Sequence, residues 1–299
     1  MSGPTHFRRV GIVGQDRDPA LERVSRSLNG LAAERGLQLY PEDPLQDLFD
    51  GAGDFVPGEF DLLLSLGGDG TLLRGVGVNL GRLGFLTSVR PDELETAIQA
   101  LDDGRYWLDT RFTLSARVVC RDGSISADYV ALNDAVLHKG GFARVIRLAL
   151  FVGEEREEVG EYSADGIILA TPTGSTAYSL SAGGAIVAPS MECLLATPIS
   201  PHTLAIRPLI LPADQRVEVE IREPSTEVML TIDGQEGEAL VNGDRLVVSR
   251  GEATVPLVRL HGQSFFSTLR RKLHWGAGGS DRAAADVVAA DGPEVSSGH

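Results

Sequence analysis

Five consecutive residues, Gly67-Gly68-Asp69-Gly70-Thr71, follow an apolar run at 61–66 and carry the sharpest chemical signal in the sequence. Glycines there let the backbone approach a ligand closely, and successive amide N–H groups form an anion nest. Asp69 is odd for a simple phosphate cradle, since a carboxylate repels phosphate. It suits a magnesium ligand, or a base facing a hydroxyl that is to be phosphorylated. The same pentapeptide also suits a tight turn in which Asp69 bonds its own backbone.

A second run, Thr171-Pro-Thr-Gly-Ser-Thr-Ala-Tyr-Ser179, continues into Leu180-Ser181-Ala182-Gly183-Gly184. Hydroxyls and glycines at a strand-to-helix junction offer donors to a polar ligand, and Tyr178 is able to stack on a base. Thr173 or Ser175 could equally cap a helix N-terminus. No G-x-S-x-G occurs, so a serine hydrolase elbow is excluded. Asn133-Asp134 and Asp165-Gly166 each place a carboxylate near a strand end, where turn and surface residues are also common. The six histidines show no metal-ligand spacing, and all but His202 read as structural or exposed.

These residues must be positioned by two kinds of element. Residues 8–14, 37–40 and 61–66 read as short buried strands, and 19–35 has apolar positions Leu21, Val24, Leu28, Leu31 and Ala32 at helical spacing, closed by Gly36. Strand, helix and strand in alternation predict an α/β domain with a parallel, Rossmann-like sheet, over 1–104. Residues 42–58 are acidic and turn-rich and read as an exposed loop. From about 105 to 257 the runs turn β-like, at 112–120, 128–136, 145–152, 217–221, 228–232 and 245–248, which predicts a sandwich-like β-rich domain. A helix is expected to start within 175–186, and 258–275 reads as a return segment, helical over 264–273, that packs on the first domain. Residues 276–299 read as a flexible tail.

Composition narrows the function classes. Of 299 residues, 42 are acidic and 27 basic, a net charge of −15 that repels nucleic acid. Only Lys139 and Lys272 are lysines, and neither follows a Gly-rich loop, which excludes a P-loop site. No apolar stretch reaches the ~18 residues of a membrane span, and no signal-type segment opens the chain. Cys120 and Cys193 fit no disulfide or zinc spacing, so a cytoplasmic protein with reduced thiols is expected.

Taken together, the motifs resemble those of the NAD kinase family. The matching pieces run in family order across residues 60–275: Gly67-Gly-Asp-Gly-Thr71, Gly77-Val-Asn-Leu-Gly-Arg-Leu-Gly-Phe-Leu86, Asn133-Asp134, Asp165-Gly166, the run 171–184, Pro201-His-Thr-Leu204, Asp233-Gly-Gln235, and Ser264-Phe-Phe to Trp275. The glycine loop alone is shared with phosphofructokinases and with diacylglycerol and sphingosine kinases, whereas the 171–178 run is far more specific. The resemblance implies phosphorylation of the adenosine ribose 2′-hydroxyl of NAD by ATP or polyphosphate, with Mg²⁺, to give NADP. It implies that Asp69 accepts or orients the hydroxyl proton, with Gly67, Gly68, Gly70 and Thr71 as phosphate loop. Gly70 and Leu73 would line the pyrophosphate and ribose side of NAD, and Phe85 the neighbouring wall. Asn133 and Asp134 would hold the adenosine, with Thr173, Thr176, Ala177, Tyr178, Ser181 and His202 completing the NAD site. Asp165 would come from an adjacent subunit, which implies a homodimer or homotetramer.

Two departures stand against the family pattern. Asn133-Asp134 replaces the usual Asn-Glu, one methylene shorter. Only residues 72–76 separate the glycine loop from Gly77, where relatives carry a full helix. Five residues are too few for a parallel crossover, so an irregular link with altered sheet order, or a segment omitted from the sequence, is expected. A catalytically impaired NAD(P)-binding protein is therefore the alternative, and a lipid or sugar kinase sharing only the glycine loop a weaker one.

Overall fold

The computed structural model describes residues 7–14, 20–67, 76–78, 85–86, 89–140, 145–203, 205–222, 228–235 and 237–275. The first part of the chain comprises β1 (Arg9–Gly14), α1 (Leu21–Arg35), β2 (Gln38–Pro41), β3 (Leu62–Leu66), β4 (Val76–Val78) and α2 (Leu94–Asp102). The second comprises β5 (Tyr106–Val119), β6 (Ile125–Ala131), β7 (Asp134–Lys139), β8 (Ile146–Val152), β9 (Glu157–Ala164), β10 (Gly166–Ala170), the one-turn α3 (Tyr178–Ser181) and β11 (Cys193–Ile199). It continues through β12 (Leu209–Pro212), β13 (Val217–Ile221), β14 (Val228–Ile232), β15 (Ala239–Leu240), β16 (Arg245–Leu260) and α4 (Phe265–Lys272).

The N-terminal strands form a four-stranded parallel sheet in the order β2-β1-β3-β4. Its apolar strands and the apolar stripes of both flanking helices close one core: Val10, Ile12, Leu62, Leu64 and Leu66 against Leu21, Val24, Leu28, Leu94, Ile98 and Leu101. α1 stops at Gly36, whose φ of 68° is the left-handed conformation that glycine adopts without strain. Residues 42–58 are not a simple exposed loop. A 3-10 turn, Asp43–Leu48, inserts Leu45, with Phe49 behind it, into the same core. All three long strands end on the same edge, and Gly67 leaves β3 there.

The parallel neighbour that the short link argued against is present. β4 pairs with the last three residues of β3, Val76 opposite Leu64 and Val78 opposite Leu66. From Leu66 to Val76 there are nine intervening residues, because the count runs from the end of β3 and not from Thr71. Since β4 pairs with only three residues of β3, the chain has to come back by two residue steps, roughly 7 Å, and sideways by one strand spacing of about 5 Å. That is within reach of nine residues. The path of residues 68–75 itself lies outside the described residues.

The second part forms two six-stranded antiparallel sheets, ordered β12-β11-β10-β7-β14-β15 and β6-β5-β16-β13-β8-β9. Leu137, Ile167, Leu194 and Leu230 of the first meet Leu114, Leu148, Val219 and Leu246 of the second in one core, a β-sandwich. β10 is buried on both faces: Ile167 and Leu169 point into the sandwich, while Ile168 and Ala170 pack with Val136, Val187 and Leu195 under the 171–188 segment. The strand expected over 128–136 is two strands, β6 and β7, in different sheets, broken at Leu132-Asn133. The helix expected within 175–186 shrinks to a 3-10 turn, Gly174–Thr176, and the single turn of α3.

β5 and β16 make a long ribbon that leaves the sandwich. A register shift between Arg250 and Thr254 bends it, where Gly251 lies so close to Thr113 that a Cβ would come within 2.4 Å of the Thr113 hydroxyl oxygen. Beyond the bend, Tyr106, Val258 and Leu260 pack on the core of the parallel sheet. The boundary drawn at 257/258 therefore falls inside β16, and the return to the first sheet begins as a strand. α4 follows, with Ser264 capping it by accepting from the Ser267 N–H at 3.1 Å. The tail expected over 276–299 lies outside the described residues.

Gly166, at the start of β10, offers a test of this packing. A Cβ there would sit 2.2 Å from the Leu137 carbonyl oxygen. Gly166→Ala should cost about 2 kcal/mol through overpacking, read as a lowered Tm by calorimetry. An unchanged Tm would show that the β7–β10 pair yields freely.

Candidate functional site

The break between β6 and β7 is held by one side chain. Asp233, in the turn after β14 at φ 50°, accepts the backbone N–H of Leu132 (2.8 Å), Asn133 (2.7 Å) and Asp134 (3.0 Å), and its own N–H donates to the Asp134 carbonyl. Three amides that would pair in a continuous strand are thus satisfied by a carboxylate instead. The chain turns sharply here and changes sheet. Asp134 follows immediately and is 4% exposed. Burial, and secondarily the charge of Asp233, push its carboxyl up to about 7.

The segment from 171 onward is welded onto that break. Thr171 donates its backbone N–H to the Asn133 carbonyl (2.9 Å) and its hydroxyl to the Leu132 carbonyl (2.6 Å), and its oxygen accepts from the Gly174 N–H (3.1 Å). At Gly174 a Cβ would stand 2.1 Å from the Asn133 carbonyl oxygen, so only glycine fits. Ser175 bonds the Pro172 carbonyl and accepts from the Val187 N–H, and Ser179 bonds Thr197. These buried hydroxyls build the loop, and neither Thr173 nor Ser175 caps a helix. Thr173 is buried as well, its oxygen accepting from Arg111 Nη1 at 3.1 Å. Thr176 and Ala177 are half-buried, and Tyr178 and Ser181 are exposed, so those four face outward from the welded loop.

Phe85 lies on the far side, at a cleft of about 180 Å³ lined by Trp107, Asp109, Arg111, Arg259, Phe265 and Arg271, among others. Lys272 Nζ sits 4.4 Å over its ring, and Phe265 tilts against it. Arg259 donates to the carbonyls of Leu86 (2.8 Å) and Phe85 (3.4 Å). Asp109, Arg111 and Arg259 escaped the sequence reading; the signal available was two charges at alternate positions of a strand, 109 and 111, on one face.

Asp165 and His202 are elsewhere. Asp165 accepts from Lys139 Nζ at 2.7 Å, and His202 donates its backbone N–H to the Ser163 carbonyl. Both cluster at the end of the β7–β10 pair opposite Asp134 and Thr171, roughly 17 Å from Asp134 at 3.3 Å per residue. Within one chain, therefore, Asp165 does not join Asn133 and Asp134. Asp69, with Gly68, Gly70, Thr71 and Leu73, lies outside the described residues; Gly67 marks where their loop leaves the end of β3. Among the described residues no three His, Cys, Asp or Glu side chains stand together as a metal cage, and no helix is long and apolar enough to cross a membrane.

The sequence model of the family described as the ATP-NAD kinase C-terminal domain matches residues 132–260. An NAD kinase from Gemmatimonas aurantiaca is 44% identical over 281 residues, covering 90% of this chain and 96% of its own. One from Heliobacterium modesticaldum is 41% identical over 282 residues, covering 89% and 99%. Among solved structures, yeast NADH kinase complexed with NADH superposes with a TM-score of 0.81 at 27% identity, over 91% of this chain and 89% of that one. An NAD kinase from Archaeoglobus fulgidus in complex with ATP gives 0.67 at 27% identity, over 89% and 98%.

The raised carboxyl of Asp134 makes a prediction about pH. The folded state binds this proton more tightly than the unfolded chain does, so the stability it contributes is full below about pH 4 and is lost as pH rises through about 7. Asp134→Asn removes that loss. The Tm difference between variant and wild type should shift in favour of the variant from pH 5 to pH 8; a pH-independent difference would refute the assignment.

Proposed function

The chain belongs to the NAD kinase family and is a phosphotransferase acting on NAD; on that premise we propose how its own residues share the work. The 2′-hydroxyl oxygen of the adenosine ribose attacks the γ-phosphorus of ATP, ADP leaves, and the hydroxyl proton passes to the carboxylate of Asp69. The Gly67–Thr71 loop follows the C-terminal end of β3, the edge where open parallel sheets gather their ligands, which supports placing the phosphates there. Inorganic polyphosphate is the alternative donor. A divalent cation such as Mg²⁺, brought with the donor, would supply neutralisation of phosphate charge that a protein of net charge −15 otherwise repels.

The observation that carries the NAD side is the division of the 171–184 loop into buried hydroxyls that build it and the outward row Thr176, Ala177, Tyr178 and Ser181. Those four take the bases and riboses, with Asn133 and Asp134 holding the adenosine. Near pH 7 Asp134 is poised between acid and carboxylate, able to donate or accept toward a nucleoside edge. The missing methylene relative to glutamate places that group closer to its own backbone. Asp165 and His202, set apart from this cluster, serve the site of a neighbouring protomer in a homodimer or homotetramer, joined through the β-rich part. A cytoplasmic location goes with these substrates and with the unpaired cysteines. Relatives 35–45% identical to this chain are NAD kinases, which weighs against the impaired alternative, and β4 takes its parallel place beside β3. The stretch after Gly67 on which that alternative turned lies outside the described residues.

Formation of NADP from NAD and MgATP tests the reading as a whole. Asp69→Asn should abolish turnover while NAD affinity stays within about tenfold, because asparagine tolerates the same turn; wild-type turnover would remove Asp69 from the chemistry. Light scattering at micromolar protein should give a dimer or tetramer, and a monomeric mass would send Asp165 and His202 back to a local role.

A further inference from the structure

One carboxylate joins the two walls assigned to NAD. Asp109 on β5 pairs through Oδ2 with Arg111 two residues on, and with Arg259 Nε of β16 at 3.3 Å. Burial alone would raise this carboxyl, but the two guanidiniums outweigh it and hold it below its ordinary value. Arg111 is 3% exposed and spends Nη1 on the Thr173 hydroxyl. Arg259 spends Nη1 and Nη2 on the Leu86 and Phe85 carbonyls. The pairing of Leu257 with Asp109, Arg259 with Trp107 and Val255 with Arg111 puts all six on one face of the ribbon. On that face Leu257 also packs with Leu86 and Leu132, the residue before Asn133. The opposite face carries Tyr106, Val258 and Leu260 into the core of the parallel sheet.

We propose that Arg111, Asp109 and Arg259 form a positioning relay that fixes the spacing between the Phe85 wall and the Thr173 loop, and so sets the affinity for NAD. The inference rests on the assignment of Phe85 and of the loop that carries Thr173 to the NAD site. A surface ion pair would have no such reach: exposed pairs contribute little and tie nothing together. Here each guanidinium is forked between the shared carboxylate and the wall it holds, a geometry that lysine's point charge does not reproduce. The cost of losing it is loosened placement and not lost chemistry, since none of the three is assigned to the transferring phosphoryl group.

The test is steady-state kinetics with thermal unfolding on the full chain. Asp109→Asn keeps the volume and one acceptor oxygen but loses the charge, and should raise the KM for NAD by about tenfold while kcat changes less than about threefold and the KM for ATP holds. Arg259→Lys, which retains charge without the fork, should move the same KM in the same direction, and it serves if Asp109→Asn does not fold. Arg117→Gln, which breaks the exposed pair with Asp128 on β6, should leave all constants unchanged. Thr173→Val alone tests the wall assignment by its own KM for NAD. The effect of Asp109→Asn should shrink in the Thr173→Val background, because part of it travels through that hydroxyl. A KM for NAD that stays at the wild-type value in folded Asp109→Asn and Arg259→Lys, with only Tm falling, would overturn the relay. So would an Asp109→Asn effect of undiminished size in the Thr173→Val background, and neither outcome would touch the formation of NADP itself.

Discussion

The geometry of the site depends on the Asp233 carboxylate. By accepting three successive amides at 132–134 it ends one strand and starts another, and this lets the chain pass from one sheet of the sandwich to the other. Without that acceptor, three buried donors would lack partners, each a loss of roughly 1–3 kcal/mol. The break exposes the Leu132 and Asn133 carbonyls, and the 171–174 segment docks on exactly those two groups through Thr171. Placing a carboxylate at this point also sets the chemistry next door, since its charge and the same burial raise Asp134.

A loop so rich in hydroxyls divides its labour by burial. Thr171, Ser175 and Ser179 are fully enclosed and are satisfied by backbone groups and by Thr197, so they offer nothing to a ligand. That satisfaction is what holds Thr176 to Tyr178 rigidly on the surface without the support of a long helix. α3 is a single turn, too short to order itself, and its position comes from the bonds beneath it.

The ribbon of β5 and β16 plays the same part between the two halves of the molecule. Its period of two gives one face to the parallel-sheet core and the other to the Phe85 segment and Thr173. A strand pair that makes contacts on both faces in this way transmits position, because neither face can shift without disturbing the other.

Much of this was legible in the sequence, and for a physical reason. The strands at 8–14 and 61–66 and the helix at 19–35 are local: periodicity and a terminal glycine specify them, and the structure has them within two residues. The family was legible too, because steric demands such as glycine at 174 against the Asn133 carbonyl leave a pattern that is readable in the sequence. What tertiary structure alone decided was everything set by partners far along the chain. The run at 128–136 has strand composition throughout, and only Asp233, about a hundred residues away, cuts it. Leu45 and Phe49 lie in a stretch whose polar composition hides them, yet the helix and strand packed above them leave an apolar gap that they fill. Arg111 and Arg259 look like ordinary strand-face charges until the ribbon folds them onto Asp109 and the walls of the site. Spacing along a chain records periodicity and steric demand, but the partner that satisfies a buried donor or charge is chosen only when distant segments meet.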